Sequence, residues 1–399
     1  MQRVRGTHLV RVAAVVLGGV LLAGCLGDAR TGVPPHHVAN ATVAGYPPSI
    51  RVWGDDARSF PPEAIALLRE QRAAAAKVDP SMNPFEINAL TLSGGGSSGA
   101  FGAGVLTGWT EQGTRPKFDI VTGISTGALI APFAFLGSAY DQQLAEAFTT
   151  VDDKDIYDVT GLSGVLRTGA FTSNDPLRKM LDKYITDAVI DQVAVEFAKG
   201  RRLLVGTTNL DADRPVIWNM GAIAASGRPD RSKLFREVIL ASTSIPGVFP
   251  PIKIPVVAGA DKFEEMHVDG GVTTEVFLMP AGLTLREVEG KHRVKSRLYV
   301  IRNGRTTPEY SVVDAKLASI AGKTISSLID TQAVGDLYRL YAIAKRDGID
   351  YNVVEIPTTF TVESKSAFDN NYMRALYKVG YDMGHTGVTW QKFPPGFVQ

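Results

Sequence analysis

Short apolar runs alternate with glycine turns and helical patterns through the centre of the chain. Residues 87–92 form an apolar run that predicts a strand, which ends in a glycine-rich turn before a helical pattern at 100–112. The same order recurs with a predicted strand at 118–121, a second glycine turn and an apolar helix at 128–137. Repeated strand–turn–helix units are typical of parallel sheets covered by helices. The pattern therefore predicts an α/β fold with a central, mostly parallel sheet flanked by helices.

The second half of the chain continues this mixed pattern. A short predicted strand ends at Val268, just before Asp269, and further strands are predicted at 202–207, 215–218, 297–302 and 351–356. Helices are predicted at residues 232–242, 312–345 and 370–383. We therefore expect residues 286–399 to complete the core that the earlier strands begin.

The first 24 residues have the pattern of an export signal. A short apolar run follows three arginines and ends in small residues before Cys25, the only cysteine of the chain. This arrangement resembles the bacterial lipoprotein signal, in which Cys25 would be lipidated and become the mature N-terminus; an ordinary secretory signal is the alternative. Leu26 in place of an aspartate favours the outer membrane of a two-membrane cell. The sequence thus predicts an exported protein that acyl chains on Cys25 hold at a membrane.

Residues 25–85 are predicted to connect this anchor to the folded part of the chain. Residues 25 to about 60 are rich in proline, glycine and alanine and are typical of a tether, and residues 63–77 predict a helix. The predicted organisation is a signal peptide at 1–24, a tether with a helix at 25–85, a main domain at 86–285 and an extension at 286–399.

The charge balance argues against several classes of function. The chain has 42 Lys and Arg against 41 Asp and Glu and lacks a basic run, so nucleic-acid binding has no electrostatic support. The histidines are scattered, and the acidic run at 152–155 predicts a solvated turn, so we expect no metal and no cofactor. No segment after residue 24 has 18 uninterrupted apolar residues, so we expect the remainder to be water-soluble. Nothing in the sequence indicates an oligomeric state.

Residues 123–127 have the Gly-x-Ser-x-Gly pattern of a nucleophile elbow. In that turn Gly123 and Gly127 allow the chain to bend sharply between a strand and a helix, and the hydroxyl of Ser125 is presented at the bend. The amino terminus of the following helix favours negative charge at this position. The pattern therefore predicts a serine nucleophile.

The glycine-rich turn at residues 94–99 admits two functional interpretations and a structural one. It matches the dinucleotide fingerprint Gly-x-Gly-x-x-Gly, with Asp119 at the usual distance downstream. Asp119, however, lies at the start of the second predicted strand, whereas Ser125 follows its end. This placement favours an oxyanion loop whose N–H groups face Ser125, although a simple tight turn before a helix remains open. The loop contains Gly94, Gly95, Gly96 and Gly99.

A serine nucleophile needs a base, and the sequence offers both a carboxylate and histidines. Asp269 precedes Gly270 and Gly271 in a predicted turn after a strand. Three histidines follow Ser125 in the chain, and a Ser125–Asp269–His385 triad is compatible with their order. The other two candidates are His267 and His292.

These motifs together resemble the patatin-like phospholipases, which are serine lipid acyl hydrolases. A fourth block, residues 241–251, is similar to the family's Ala-Ser-x-x-x-Pro-x-x-Phe-Pro-Pro segment. The resemblance covers residues 86–285 and implies a three-layer α/β/α fold, a lipid or phospholipid ester as substrate, and a Ser125–Asp269 dyad that needs neither histidine nor calcium. It also implies that the oxyanion loop is formed by Gly94, Gly95 and Gly96. Ser98 stands where the family often has a basic residue, which weakens any expectation about phosphate recognition.

Overall fold

The computed structural model describes residues 30–59, 70–79, 86–161, 164–165, 168–279, 295–308 and 310–397. Its strands are β1 Thr42–Val43, β2 Arg51–Trp53, β3 Glu86–Leu92, β4 Ile120–Gly123, β5 Asp158–Val159, β6 Thr172–Ser173, β7 Arg202–Asn209, β8 Arg214–Asn219, β9 Ile252–Ala258, β10 Asp261–Asp269, β11 Lys295–Arg302 and β12 Asp350–Glu355. Its helices are α1 Gly99–Glu111, α2 Thr126–Leu136, α3 Asp141–Thr149, α4 Asp153–Ile156, α5 Asp175–Tyr184, α6 Asp187–Ala198, α7 Met220–Ala224, α8 Arg231–Ser242, α9 Leu317–Asp347 and α10 Asn370–Thr386. The signal at 1–24, Cys25 and His292 lie outside the described residues.

One mixed sheet forms the centre of the molecule. Its main order is β1-β9-β10-β7-β4-β3-β11-β12, with β8 and β2 added on β7. The five strands β7, β4, β3, β11 and β12 run parallel, and the strands beyond β7 are antiparallel. The predicted parallel core is confirmed, and antiparallel strands extend it on the β7 side.

Helices cover both faces of this sheet. Adjacent residues of a strand point to opposite faces, and Val353 and Val354 of β12 accordingly belong to two different buried clusters. The cluster with Val353 includes Leu337 and Leu340 of α9, whereas the cluster with Val354 includes residues of α1, α2 and α10. The fold therefore has three layers, α/β/α, as the resemblance implies.

The segment predicted as a tether is part of the sheet. Thr42 and Val43 pair with β9, and the strand Arg51–Trp53 pairs with β8. The side chains of Ile50 and Tyr46 are buried in the main core. The prediction of a tether is wrong for residues 30–59, because enough apolar side chains lie between the prolines to be buried against the sheet edge.

The acidic run at 152–155 is also more ordered than the predicted solvated turn. Residues Asp153–Ile156 form a short helix, and Asp152 caps it. The Asp152 carboxylate accepts from the N–H of Lys154, and the Asp155 carboxylate accepts from the N–H of Asp152. The acidic residues are thus helix caps, which the spacing of two aspartates three residues apart allows.

Helices α1 and α10 pack so closely that their backbones touch. A Cβ built at Gly104 would overlap the carbonyl oxygen of Tyr377, and one at Gly108 would overlap that of Tyr381. Because α1 begins at the glycine loop and is almost wholly buried, this contact fixes the direction in which the helix leaves the loop.

We expect Gly104→Ala to lower the free energy of unfolding by about 1–3 kcal/mol, because the added methyl group forces the two helices apart. Gly335→Ala is a matched control, since Gly335 lies inside α9 with no atom within 4 Å of its built Cβ. That control should raise the free energy by up to about 1 kcal/mol through helix propensity. Urea unfolding measures both changes, and equal effects of the two substitutions would contradict the close contact.

Candidate active site

Ser125 lies in a strained turn between β4 and α2. Its φ of 53° and ψ of −125° are rare for any residue other than glycine. The N–H of Ser125 donates to Ser242 Oγ at 3.0 Å, and that hydroxyl donates to the carbonyl oxygen of Gly206 at 2.7 Å. Ser242, at the end of α8, thus holds the strained turn in place. The local pattern predicted the turn, but it did not identify Ser242 as its support.

The glycine loop follows β3 and turns toward open space before α1. Gly95 and Gly96 have positive φ values of 144° and 56°, which glycine adopts without the strain that a side chain would cause. Within the described part of the chain, the N–H groups of Gly95 and Gly96 donate to no other group. No atom lies within 4 Å of a Cβ built at Gly96. The loop therefore offers two backbone donors to a bound group.

Asn303, just after β11, fixes the base of this loop. Its side-chain amide donates to the carbonyl oxygen of Ser93, and its N–H donates to Ser93 Oγ, both at 2.8 Å. Its Oδ1 accepts from the N–H of Gly102 at 3.0 Å. The sequence contained no signal for this residue, because it lies about 200 positions beyond the loop it supports.

Asp269 reaches Ser125 because two strands share one edge of β7. Strand β8 pairs with β7 from Leu204 to Asn209 along one edge, so β4 and β10 must both lie on the other edge. Strand β4 ends opposite Val205, and Asp269, the last residue of β10, lies opposite Thr207. The end of β10 therefore meets the turn that follows β4, and Asp269 is brought to Ser125.

The Asp269 carboxyl is buried and incompletely hydrogen-bonded. Its Oδ1 accepts from the N–H of Gly271 at 2.8 Å, and among the described groups Oδ2 has no partner with good hydrogen-bond geometry. Burial raises the pKa of Asp269 to about 7, although the Ser125 hydroxyl and the Gly271 N–H act in the opposite direction. A carboxyl with this pKa can exchange a proton with a serine hydroxyl near neutral pH.

Neither described histidine candidate faces Ser125. His267 is fully buried; its Nδ1 lies 2.9 Å from Thr207 Oγ1 and its Nε2 lies 3.1 Å from Glu265 Oε2, so both ring nitrogens are occupied. His385 is half exposed near the Glu111 end of α1. Because α1 rises about 1.5 Å per residue, that end is roughly 18 Å from the glycine loop. The described geometry does not support a Ser125–Asp269–His385 triad.

Asp119 lies far from the ribose position that the dinucleotide interpretation requires. It precedes the amino end of β4, where its Oδ2 accepts from the N–H of Asn88 at 2.8 Å. Its Oδ1 lies 2.5 Å from Arg72 Nη1. The carboxylate is therefore engaged at the opposite end of the sheet from the glycine loop, and the dinucleotide interpretation is wrong.

The residues that the structure describes contain no group of three or more His, Cys, Asp or Glu side chains placed to hold a metal ion. None of the described helices has the length and apolar character to cross a membrane.

Residues 90–281 match the family model described as Patatin-like phospholipase. The matched region is 192 of the 399 residues and includes the glycine loop, Ser125 and Asp269, and this match supports the resemblance inferred from the four sequence blocks. No curated protein matches the chain.

Several solved structures have a distant likeness to this chain. VipD from Legionella pneumophila is 14% identical over 76% of this chain and 67% of that chain, with a TM-score of 0.38. Human GIVD cytosolic phospholipase A2 is 11% identical over 82% of this chain and 56% of that chain, with a TM-score of 0.34. The matching chain of the heterodimeric ExoU-SpcU complex, from the type III secretion system of Pseudomonas aeruginosa, is 14% identical over 76% of this chain and 51% of that chain. Its TM-score is 0.28. These likenesses are too low for any functional residue to be carried over.

Proposed function

We propose that the protein is a serine lipid acyl hydrolase in which Ser125 is the nucleophile and Asp269 the general base. The observation that carries this proposal is the meeting of a strained, elbow-held serine with a buried carboxyl whose pKa is about 7. The family match, whose description names a phospholipase, supports a lipid ester as substrate. The N–H groups of Gly95 and Gly96 are the proposed oxyanion donors.

The proposed reaction has two steps. Ser125 Oγ attacks the ester carbonyl while Asp269 accepts its proton, and the Gly95 and Gly96 N–H groups stabilise the negative charge that develops on the carbonyl oxygen. The alcohol then leaves with the proton from Asp269, and an acyl group remains on Ser125. In the second step Asp269 takes a proton from water, the hydroxide attacks the acyl carbon, and the free acid leaves as Ser125 regains its proton.

In the direct test, the full-length protein in detergent is incubated separately with a fluorophosphonate probe, a short-chain nitrophenyl ester and a labelled phospholipid. Covalent attachment of the probe to Ser125, located by mass spectrometry, is the expected result. The relative rates on the two esters would separate a phospholipase from a general carboxylesterase. A folded protein that the probe does not label and that cleaves neither ester would favour a lipid- or partner-binding role without catalysis.

We expect the rate of ester hydrolysis to rise with pH and to reach half its plateau near pH 7. Asp269 must be ionised to accept the serine proton, and the ionised fraction grows as the pH passes its pKa of about 7. The measurement is kcat/KM for the nitrophenyl ester between pH 5 and pH 8. A rate that is already constant from pH 5 upward would mean that the base is a solvated carboxyl and not Asp269.

We also propose that Cys25 carries acyl chains that hold the folded part of the chain at a bacterial membrane, with the outer membrane favoured by Leu26. The support is the apolar run and small residues that precede the only cysteine. Growth of the producing bacterium with a labelled fatty acid should label the wild-type protein and leave Cys25→Ala unlabelled. Equal labelling of both proteins, or of neither, would overturn the proposal.

A further inference from the structure

Glu275 places a second carboxyl between the glycine loop and Asp269. A Cβ built at Gly94 would overlap Glu275 Oε1 and lie 2.9 Å from Ser125 Cβ. A Cβ built at Gly271 would overlap Glu275 Oε2 and lie 3.1 Å from Asp269 Oδ1. The two oxygens of one carboxyl thus occupy the spaces that two glycines leave open, one beside the nucleophile and one beside the base.

The Glu275 carboxyl is nearly excluded from water, and among the described residues no lysine or arginine forms an ion pair with it. Glu275 is 4% exposed, and its Oε2 has no hydrogen-bond partner among the described groups. Its own backbone N–H donates to Asp336 Oδ2 at 2.7 Å, which brings a carboxylate of α9 to the same place. The arrangement puts acidic groups around an acid, and a buried negative charge there would be poorly compensated.

The charged groups that act on Glu275 come from three elements. Asp269 of β10, together with Asp336 and Asp330 of α9, disfavours its ionisation, and Arg302 of β11 favours it. Arg302 itself donates to the carbonyl oxygen of Arg305 at 2.7 Å and lies 3.7 Å from Asp330. Burial first, and then these carboxylates, raise the pKa of Glu275 well above its usual range.

We propose that Glu275 is a positioning residue that must stay protonated and neutral while Asp269 is ionised, so that the oxyanion loop faces one negative charge and not two. This inference rests on the proposed hydrolase function. The reason is electrostatic: the carbonyl oxygen becomes negative beside Gly95 and Gly96, and Glu275 Oε1 lies against the adjoining Gly94. An ionised Glu275 would repel that charge in a site from which water is largely excluded.

The inference predicts a particular shape of pH profile. The rate at which a fluorophosphonate labels Ser125 should rise as Asp269 ionises and fall again at alkaline pH as Glu275 loses its proton. In Glu275→Gln the carboxamide has nearly the same shape and no acidic proton, so the alkaline fall should disappear. Glu275→Asp should retain a fall, and Glu363→Gln, at an exposed glutamate, should reproduce the wild-type profile.

Infrared spectroscopy supplies a readout that does not depend on activity or on a stable variant. The wild-type protein is produced in cells that cannot convert glutamate into aspartate, with glutamate that carries ¹³C in its side-chain carboxyl, so that Asp269 and Asp336 remain unlabelled. A protonated ¹³C-carboxylic acid band at pH 8, after exchange into heavy water, is the expected result. A spectrum with glutamate carboxylate bands alone would overturn the inference.

The outcomes separate the two proposals. Absence of Ser125 labelling at every pH contradicts the hydrolase function. Labelling of Ser125 with the same alkaline fall, to within about twofold, in wild type and Glu275→Gln contradicts the role of Glu275 and leaves the hydrolase function intact. Loss of the fall in Glu275→Gln, together with the protonated glutamate band in wild type, supports both.

Discussion

Ser125→Ala should lower kcat/KM for ester hydrolysis by on the order of 10³-fold or more. In the proposed mechanism the substitution removes the atom that attacks the carbonyl carbon, while the proposed oxyanion donors and base remain, so only their residual effect persists. Loss of the hydroxyl leaves the bond between the Ser125 N–H and Ser242 Oγ available, because the backbone makes it. The measurement is turnover of the nitrophenyl ester and of the labelled phospholipid, with circular dichroism to show that the variant is folded.

Ser326→Ala is the matched control for this substitution. Ser326 lies on α9 and is exposed, so both rates should equal those of the wild-type protein. A Ser125→Ala protein that stays folded and keeps its rate would place the nucleophile elsewhere and remove the basis of the proposed function.

Asp269→Asn should have two opposite effects, a loss of turnover of about 10³-fold and a gain in stability at neutral to alkaline pH. The amide cannot accept the serine proton, which accounts for the loss. The gain follows from linkage. Asp269 has a pKa of about 7 in the folded protein against 3.8 for a free aspartate, so the folded state holds its proton more tightly than the unfolded state does.

The sign of the stability effect is therefore fixed by the direction of this shift. A raised pKa of an acid makes no unfavourable contribution below pH 4, and its cost grows as the pH rises from 4 to about 7. Asparagine cannot ionise, so the variant does not have this unfavourable contribution to its stability. We expect Asp269→Asn to be more stable than wild type at pH 8 by up to about 4 kcal/mol, and to lose that advantage near pH 4.

Urea unfolding at the two pH values measures the difference. Asp261→Asn, at an exposed position of the same strand, should show no comparable dependence on pH. A variant whose stability relative to wild type is the same at pH 4 and pH 8 would mean that the Asp269 carboxyl is not an energetically costly buried base.

Much of the local structure follows from patterns a few residues long. The glycine turns after β3 and β4 were predicted at their positions, because sharp turns between a strand and a helix require glycine within a few residues of the bend. Strand β4 nevertheless begins at Ile120, whereas the sequence pattern predicts a start at residue 118. Asp119 binds the backbone of Asn88 and the side chain of Arg72 there, and these partners are distant in the chain.

Other errors have the same physical origin. Residues 30–59 have the composition of a tether, yet the two short strands within them, β1 and β2, pair with β9 and β8, because strand pairing and burial depend on which edge of the sheet is free. Composition reports how much apolar surface a segment has, and it does not report whether another part of the chain will cover that surface.

The candidate site also combines features set by local sequence with features set by tertiary packing. The elbow at Ser125 and the loop at Gly94, Gly95 and Gly96 could be identified from local pattern and family resemblance, because their backbone geometry demands particular residues at adjacent positions. Their meeting with Asp269 depends on β10 following β4 along one edge of β7, and the support from Ser242 and Asn303 depends on the packing of α8 and β11. The proximity of Glu275, and the burial that raises the pKa of Asp269, exist only once these elements are assembled, since both depend on water being excluded by residues far apart in the chain.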